Sequence, residues 1–164
     1  MDCTHIPEIS CFYSDTIASH ILNPSAHFEY EMILVTDGSA QVQIHDRTYP
    51  LQRGSLLFIS RLEQHQFCIV KEPYCRYVLS VSSDLLLSHL NEPRLASIFM
   101  QRPEYFSHVI QLNEEQLAYF LPFFQKSADE YEKQSDFYTL QSIALLLSVL
   151  ISLYRLYPNA FPME

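Results

Sequence analysis

The feature that most constrains this chain is the stretch from His27 to His65, where short apolar runs alternate with tight polar turns. His27–Val35 opens it. Asp37-Gly38 reads as a turn, Ala40–Ile44 as the next strand, His45-Asp46-Arg47 as a second turn, and Leu56–Ile59 as a fully buried strand. Residues two apart on a strand share a face, and strands punctuated in this way predict an antiparallel sheet rolling into a small barrel. Parity puts Ser25, His27, Glu29, Glu31, Ile33 and Val35 on one face. With Ile33 and Val35 pointing into the barrel, His27, Glu29 and Glu31 point there too. Phe28, Tyr30, Met32 and Leu34 then form an outer surface that another element must cover.

Thr48–Leu51 reads as a short edge strand because Pro50 cannot donate to a ladder. Gln64–Val70 and Tyr74–Ser82 form a further pair around Glu72-Pro73, which brings the expectation to about eight short strands. Residues 1–22 read as an arm carrying one strand, with Phe12 as a candidate lid.

At Ser83-Asp84 the pattern turns helical. Ser83 is a candidate N-cap, Pro93 suits a first turn, and Asn113 with Gln116 forms a capping-box signal. Leu117, Phe120, Leu121, Phe124, Ala128 and Tyr131 recur at helical spacing, while Pro122 predicts a kink or a late start. The last helix is expected from Ser135 or Asp136 to about Tyr157, and it is apolar nearly all round from Ile143 to Tyr154. A membrane span needs about 20 apolar residues. This run is shorter and bounded by Gln141 and Arg155, so no membrane association is expected. A helix apolar on all sides must be covered on all sides, and a second copy of the chain is the simplest cover. A homodimer through Leu140, Ile143, Leu146, Leu147, Leu150, Leu153 and Tyr154 is therefore expected. The fold class is mainly β with C-terminal helices: an arm and barrel over residues 1–82, and a helical hairpin part over residues 83–164 packed on it as a single unit.

Charge narrows the function. Ten Lys and Arg stand against 19 Asp and Glu, a net charge of −9, with no cationic run. Phosphate backbones need clustered cations, so neither nucleic acid nor an anionic membrane is a partner of these residues. The chain has two glycines and no Gly-x-Ser-x-Gly, which argues against phosphate-cradling loops and a serine nucleophile. Its four cysteines show no CxxC. Together with the absence of an apolar leader after Met1, this points to reduced thiols and a cytoplasmic location.

Three readings of His27, Glu31 and His65 stay open. They are the polar groups of an effector pocket in an apolar barrel, the ligands of a metal, or core groups satisfied by backbone. Parity adds Glu29, Phe67 and Tyr77 as pocket candidates beside Phe12. Inward glutamates favour a neutral hydroxylated or a cationic ligand.

His27-x-x-x-Glu31, Gly38, Tyr49-Pro50-Leu51, Gly54 and His65, followed by two helices, resemble the cupin-type N-terminal domain of AraC-type transcriptional regulators over roughly residues 8–157. The resemblance implies a cupin-like (double-stranded β-helix, or jelly-roll) barrel that binds a small-molecule effector, no catalysis, no cofactor, and dimerisation through the helix pair. His27, Glu31 and His65 match family metal positions, but Ser25 stands where a fourth ligand is common, so a metal is not favoured. A stand-alone metal-dependent cupin enzyme is the alternative. A full-length regulator of this type continues into a basic helix-turn-helix part. DNA contact is expected only through such a part, which these residues do not include.

Overall fold

A computed structural model describes residues 8–17 and 22–162. Expectations for the rest of the arm fall on residues 1–7 and 18–21 and lie outside the described residues. The strands are β1 (Ile9–Thr16), β2 (Tyr30–Ile44), β3 (Arg47–Leu51), β4 (Ser55–Ile59), β5 (His65–Val81) and β6 (Val109–Gln111). The helices are α1 (Ser83–His89), α2 (Pro93–Met100), α3 (Glu114–Lys133) and α4 (Tyr138–Leu156). All strand pairs are antiparallel, in the order β1-β5-β2-β4-β6, with β3 on the far end of β2.

Long strands replace the many short ones expected. Asp37-Gly38 is not a turn: β2 runs through it, and the register against β5 slips there as a bulge. Gly38 has φ +71°, and a Cβ on it would lie 2.0 Å from the Pro73 carbonyl oxygen, so only glycine fits the crossing. Glu72-Pro73, a cis peptide, likewise lies inside β5. Sequence spacing reads both sites as turns because bulge and turn use the same residues. The His45-Asp46 turn forms as expected, with His45 at φ 55°.

The sheet has two apolar faces. Ile33, Val35, Val42, Ile44, Leu51, Leu57, Ile59, Ile69 and Tyr74 are buried together and fill the barrel interior. On the outer face Tyr30, Met32, Leu34, Leu56, Phe58 and Leu79 meet Phe99, Phe120, Phe124, Leu146 and Leu150 from the helices. This is the covered outer surface that parity required, except that Phe28 stays 65% exposed.

Local signals explain the helix starts. Ser82, not Ser83, caps α1 by accepting from the Leu85 N–H. Glu92 caps α2 ahead of Pro93, and Asn113 with Gln116 completes a capping box on α3. α3 passes through Pro122 unbroken. Pro122 and Ala118 both face solvent, so the carbonyl that the proline leaves unpaired is open to water. α4 begins after Phe137 at φ 67° with no side-chain cap, later than Ser135 or Asp136.

α4 is long and apolar enough to cross a membrane by length and composition. Its apolar stripe is used inside the protomer. Ile143, Leu146, Leu150 and Leu153 are at most 3% exposed and pack in the core against the sheet and α3. This corrects the expectation that these four form a dimer surface, since a side chain committed to its own core has no face left for a partner. Leu140 is exposed, and Leu147 and Tyr154 are half-buried.

Candidate functional site

The barrel closes through residues 22–27, which run beside the start of β5. Leu22 N–H donates to the Phe67 carbonyl at 2.9 Å, and Ser25 and His65 exchange backbone hydrogen bonds of 2.9 Å in both directions. This stitch carries His27 to the start of β2, where Glu31 faces inward in register with Ile59 and Ser80. His65, paired with Ile44 at the opposite end of β2, therefore arrives beside Glu31. The chain's roll, not its local sequence, brings them together.

One ligand atom each from His27, Glu31 and His65 lies within 4.8 Å of the other two. The imidazoles stand edge to face with centroids 5.1 Å apart. Each is anchored from behind: His27 Nδ1 donates to the Glu29 carbonyl at 3.0 Å, and His65 Nδ1 to the Glu63 carbonyl at 2.8 Å. Anchored so, each ring turns its Nε2 toward the cluster. His27 Nε2 sits 2.9 Å from Glu31 Oε1, but out of line with the ring N–H direction, and makes no directed hydrogen bond. The close approach of the Glu31 carboxylate raises the His27 pKa against the opposing effect of burial. Burial chiefly lowers that of His65.

The other candidates divide. The Glu29 carboxylate stands 4.0 Å from His27 Nδ1 at the rim. Phe67 packs its ring against His65, centroids 5.8 Å apart, and reaches inward to Tyr74. Phe12 pairs with Val78, which pairs with Ile33, so it lies on the inner face of edge strand β1 and is 48% exposed. Tyr77 does not belong to the site. It pairs with Leu34, faces the helices and stacks near Phe124, because β5 follows the outer-face parity there. Ser25 is exposed and contributes only its backbone.

Sequence reasoning missed a second polar group directly behind His65. The Glu63 carboxylate is 6% exposed and accepts from Arg102 Nε at 3.1 Å, His108 Nε2 at 2.9 Å and the Ser60 N–H at 3.0 Å. His108 Nδ1 in turn accepts from the Tyr49 hydroxyl at 2.9 Å. Burial opposes ionisation of Glu63, yet the His108 hydrogen bond and the Arg102 charge outweigh it and hold the carboxyl at about 2. The Glu63-x-His65 spacing was the one sequence signal. Arg102 and His108 lie about 40 residues on, and nothing local marks them.

The donor set fits a divalent transition metal in ligand type: two imidazoles turning Nε2 to the cluster and one carboxylate, with no fourth ligand among the described residues. It also fits a polar small molecule held by one acceptor-rich and two switchable groups.

A family model described as AraC-like ligand binding domain matches residues 7–150. Among solved structures, the fold is similar to that of apo ToxT from Vibrio cholerae, with 11% identity and a TM-score of 0.61. The match covers 97% of this chain and 60% of ToxT, so the chain spans less than two thirds of that protein's length. The cupin domain of Cnp3 from Schizosaccharomyces pombe is similar over 52% of this chain and 61% of its own, at 10% identity and TM-score 0.45. A Cupin 2 conserved barrel domain protein from Salinispora arenicola is similar over 54% of this chain and 77% of its own, at 15% identity and TM-score 0.43. A search of curated proteins finds no match.

Proposed function

The chain belongs to the AraC-like ligand binding domain family, and from that premise we propose that it senses a small-molecule effector in the cytoplasm for an AraC-type transcriptional regulator. The recognition site is the His27–Glu31–His65 cluster at the barrel mouth. One observation carries this reading: three ionisable side chains converge within 4.8 Å at the end of a barrel otherwise filled by apolar side chains. Because apolar side chains cluster inside the barrel, this reading seats the effector at the mouth, against His27, Glu31, His65 and Phe67, rather than deep inside. Differential affinity for two arrangements of the mouth would then bias the regulator. Native mass spectrometry of the purified chain tests this. A small molecule retained by the wild type and lost on Glu31→Gln is expected. A wild type that retains and binds no small molecule, metal-free or metal-loaded, overturns it.

A second reading has its own support. Both Nδ1 atoms are committed to backbone carbonyls and the buried His27 Nε2 lacks a directed partner among the described residues, the arrangement of imidazoles prepared for a metal. His27, Glu31 and His65 would hold the ion, which would act as a Lewis acid for a bound effector or substrate. Stoichiometric zinc or iron, lost on His65→Ala, would support it.

Self-association through the helical part belongs to the same proposal, carried by Leu140, Leu147 and Tyr154 on α4 together with exposed Tyr119, Ile151 and Leu156. Sedimentation is expected to give a dimer that Leu140→Asp weakens. A wild-type monomer at micromolar concentration overturns it.

A further inference from the structure

The turn between β4 and β5 grips both histidines of the cluster. Its Glu63 carbonyl receives the His65 Nδ1 hydrogen bond of 2.8 Å, and its Leu62 N–H donates to the His27 carbonyl at 2.7 Å. Between these two grips the backbone is strained. Leu62 adopts φ 56° and leaves its side chain 57% exposed, a conformation unfavourable for leucine with no packing to offset it. Such strain persists only where surrounding structure over-determines it.

What over-determines it is the Glu63 side chain. Its carboxylate closes the turn on the Ser60 N–H and is held from the far side by Arg102 and His108. Arg102 also donates through Nη1 to the Ile98 and Gln101 carbonyls at the C-terminal end of α2, at 3.0 and 2.9 Å. His108 leads into β6, and its carbonyl accepts from Phe58 of β4 at 2.9 Å. A displacement of the α2 end or of the β6 approach therefore moves Glu63, and Glu63 carries the acceptor that orients His65.

The geometry assigns Glu63, Arg102 and His108 as positioning residues that hold His65 with its Nε2 turned to the mouth, so that the affinity of the mouth is set from the helical part of the chain. This rests on reading the His27–Glu31–His65 cluster as the binding site. A role in stability alone would leave the His65 ring unchanged in any variant that still folds.

Two readouts on the whole chain separate these cases. The first is long-range proton–nitrogen NMR of the histidine rings, with His65 assigned by its loss in His65→Gln. The second is titration with Co²⁺ alone. The wild type is expected to show His65 in a single Nδ1–H tautomer. In folded Glu63→Gln and Arg102→Met, mixed tautomers are expected, with Co²⁺ affinity lower by about 10- to 100-fold, the usual effect of losing a residue that supports a ligand. Arg102→Lys, which keeps the charge, is expected to restore part of both, and Arg102→Met supplies the same reading should Glu63→Gln not fold. A single Nδ1–H tautomer retained in the folded variants, with Co²⁺ affinity within about twofold of wild type, overturns the inference. A wild type that takes up no Co²⁺ counts against the metal reading of the site, while the tautomer measurement still decides the positioning role by itself.

Discussion

Two groups of ionisable residues lie back to back across one turn, and they differ in what their polar atoms do. In the inner group, Glu63 accepts from three donors and His108 uses both ring nitrogens. Among the described residues only Arg102 Nη2 of this group is left over. In the outer group, His27 and His65 use one nitrogen each, on backbone, and turn the other toward Glu31. A buried polar network that satisfies itself fixes a structure, whereas one that leaves convergent atoms open has capacity for a further partner. The same residue types serve both ends, and hydrogen-bond bookkeeping separates them where composition does not.

The comparison can be broken most sharply at the two glutamates. Glu63→Leu strands the Arg102 guanidinium in a buried site and is expected to cost about 3–5 kcal/mol in denaturant unfolding. Acid should act on the same group. Its carboxyl sits at about 2 in the folded chain against an ordinary 4.5. Its stabilisation is therefore fully present above about pH 4.5 and is lost as pH falls from there toward about 2, amounting to about 3 kcal/mol. A pH series of unfolding midpoints in wild type and Glu63→Gln checks this, and parallel curves would count against it. Glu31→Leu, by contrast, should change stability by less than about 1 kcal/mol, because it removes a partly exposed carboxylate without stranding a buried guanidinium. It should nevertheless abolish binding at the mouth. Equal destabilisation by the two substitutions would erase the distinction. The smallest effect belongs to the turn between them: Leu62→Asn should gain about 0.5–1 kcal/mol, since asparagine tolerates the left-handed conformation better than leucine.

Much of the barrel was legible because alternation is a local property. Parity placed Glu31 with Ile33 and Val35, and it placed Tyr30, Met32 and Leu34 under helices. It failed at Tyr77, since the bulges in β2 and the long course of β5 shift phase in ways that spacing does not record. The cluster was legible as a set of residues but not as a geometry. His65 meets Glu31 only through the backbone stitch from Ser25, a long-range closure. Glu63, Arg102 and His108 escaped notice because their partnership spans three separate elements. The α4 stripe was read correctly as apolar, yet α3 and the sheet claim Leu146 and Leu150, and no count of apolar residues tells an intramolecular from an intermolecular cover.

The pairing of β6 with β4 bears on how far this fold can be divided. Leu56 and Leu57 pair in register with Ile110 and Val109, and the Leu112 N–H closes on the Gly54 carbonyl. The barrel's last strand is thus supplied from beyond two helices. A fragment ending at Ser82 would leave β4 with a bare apolar edge, open to pairing with neighbouring molecules. It would also lack Arg102 and His108. Barrel and helices are therefore expected to behave as one heritable unit, and a recombination point near residue 82 should yield an aggregating product rather than a smaller sensor.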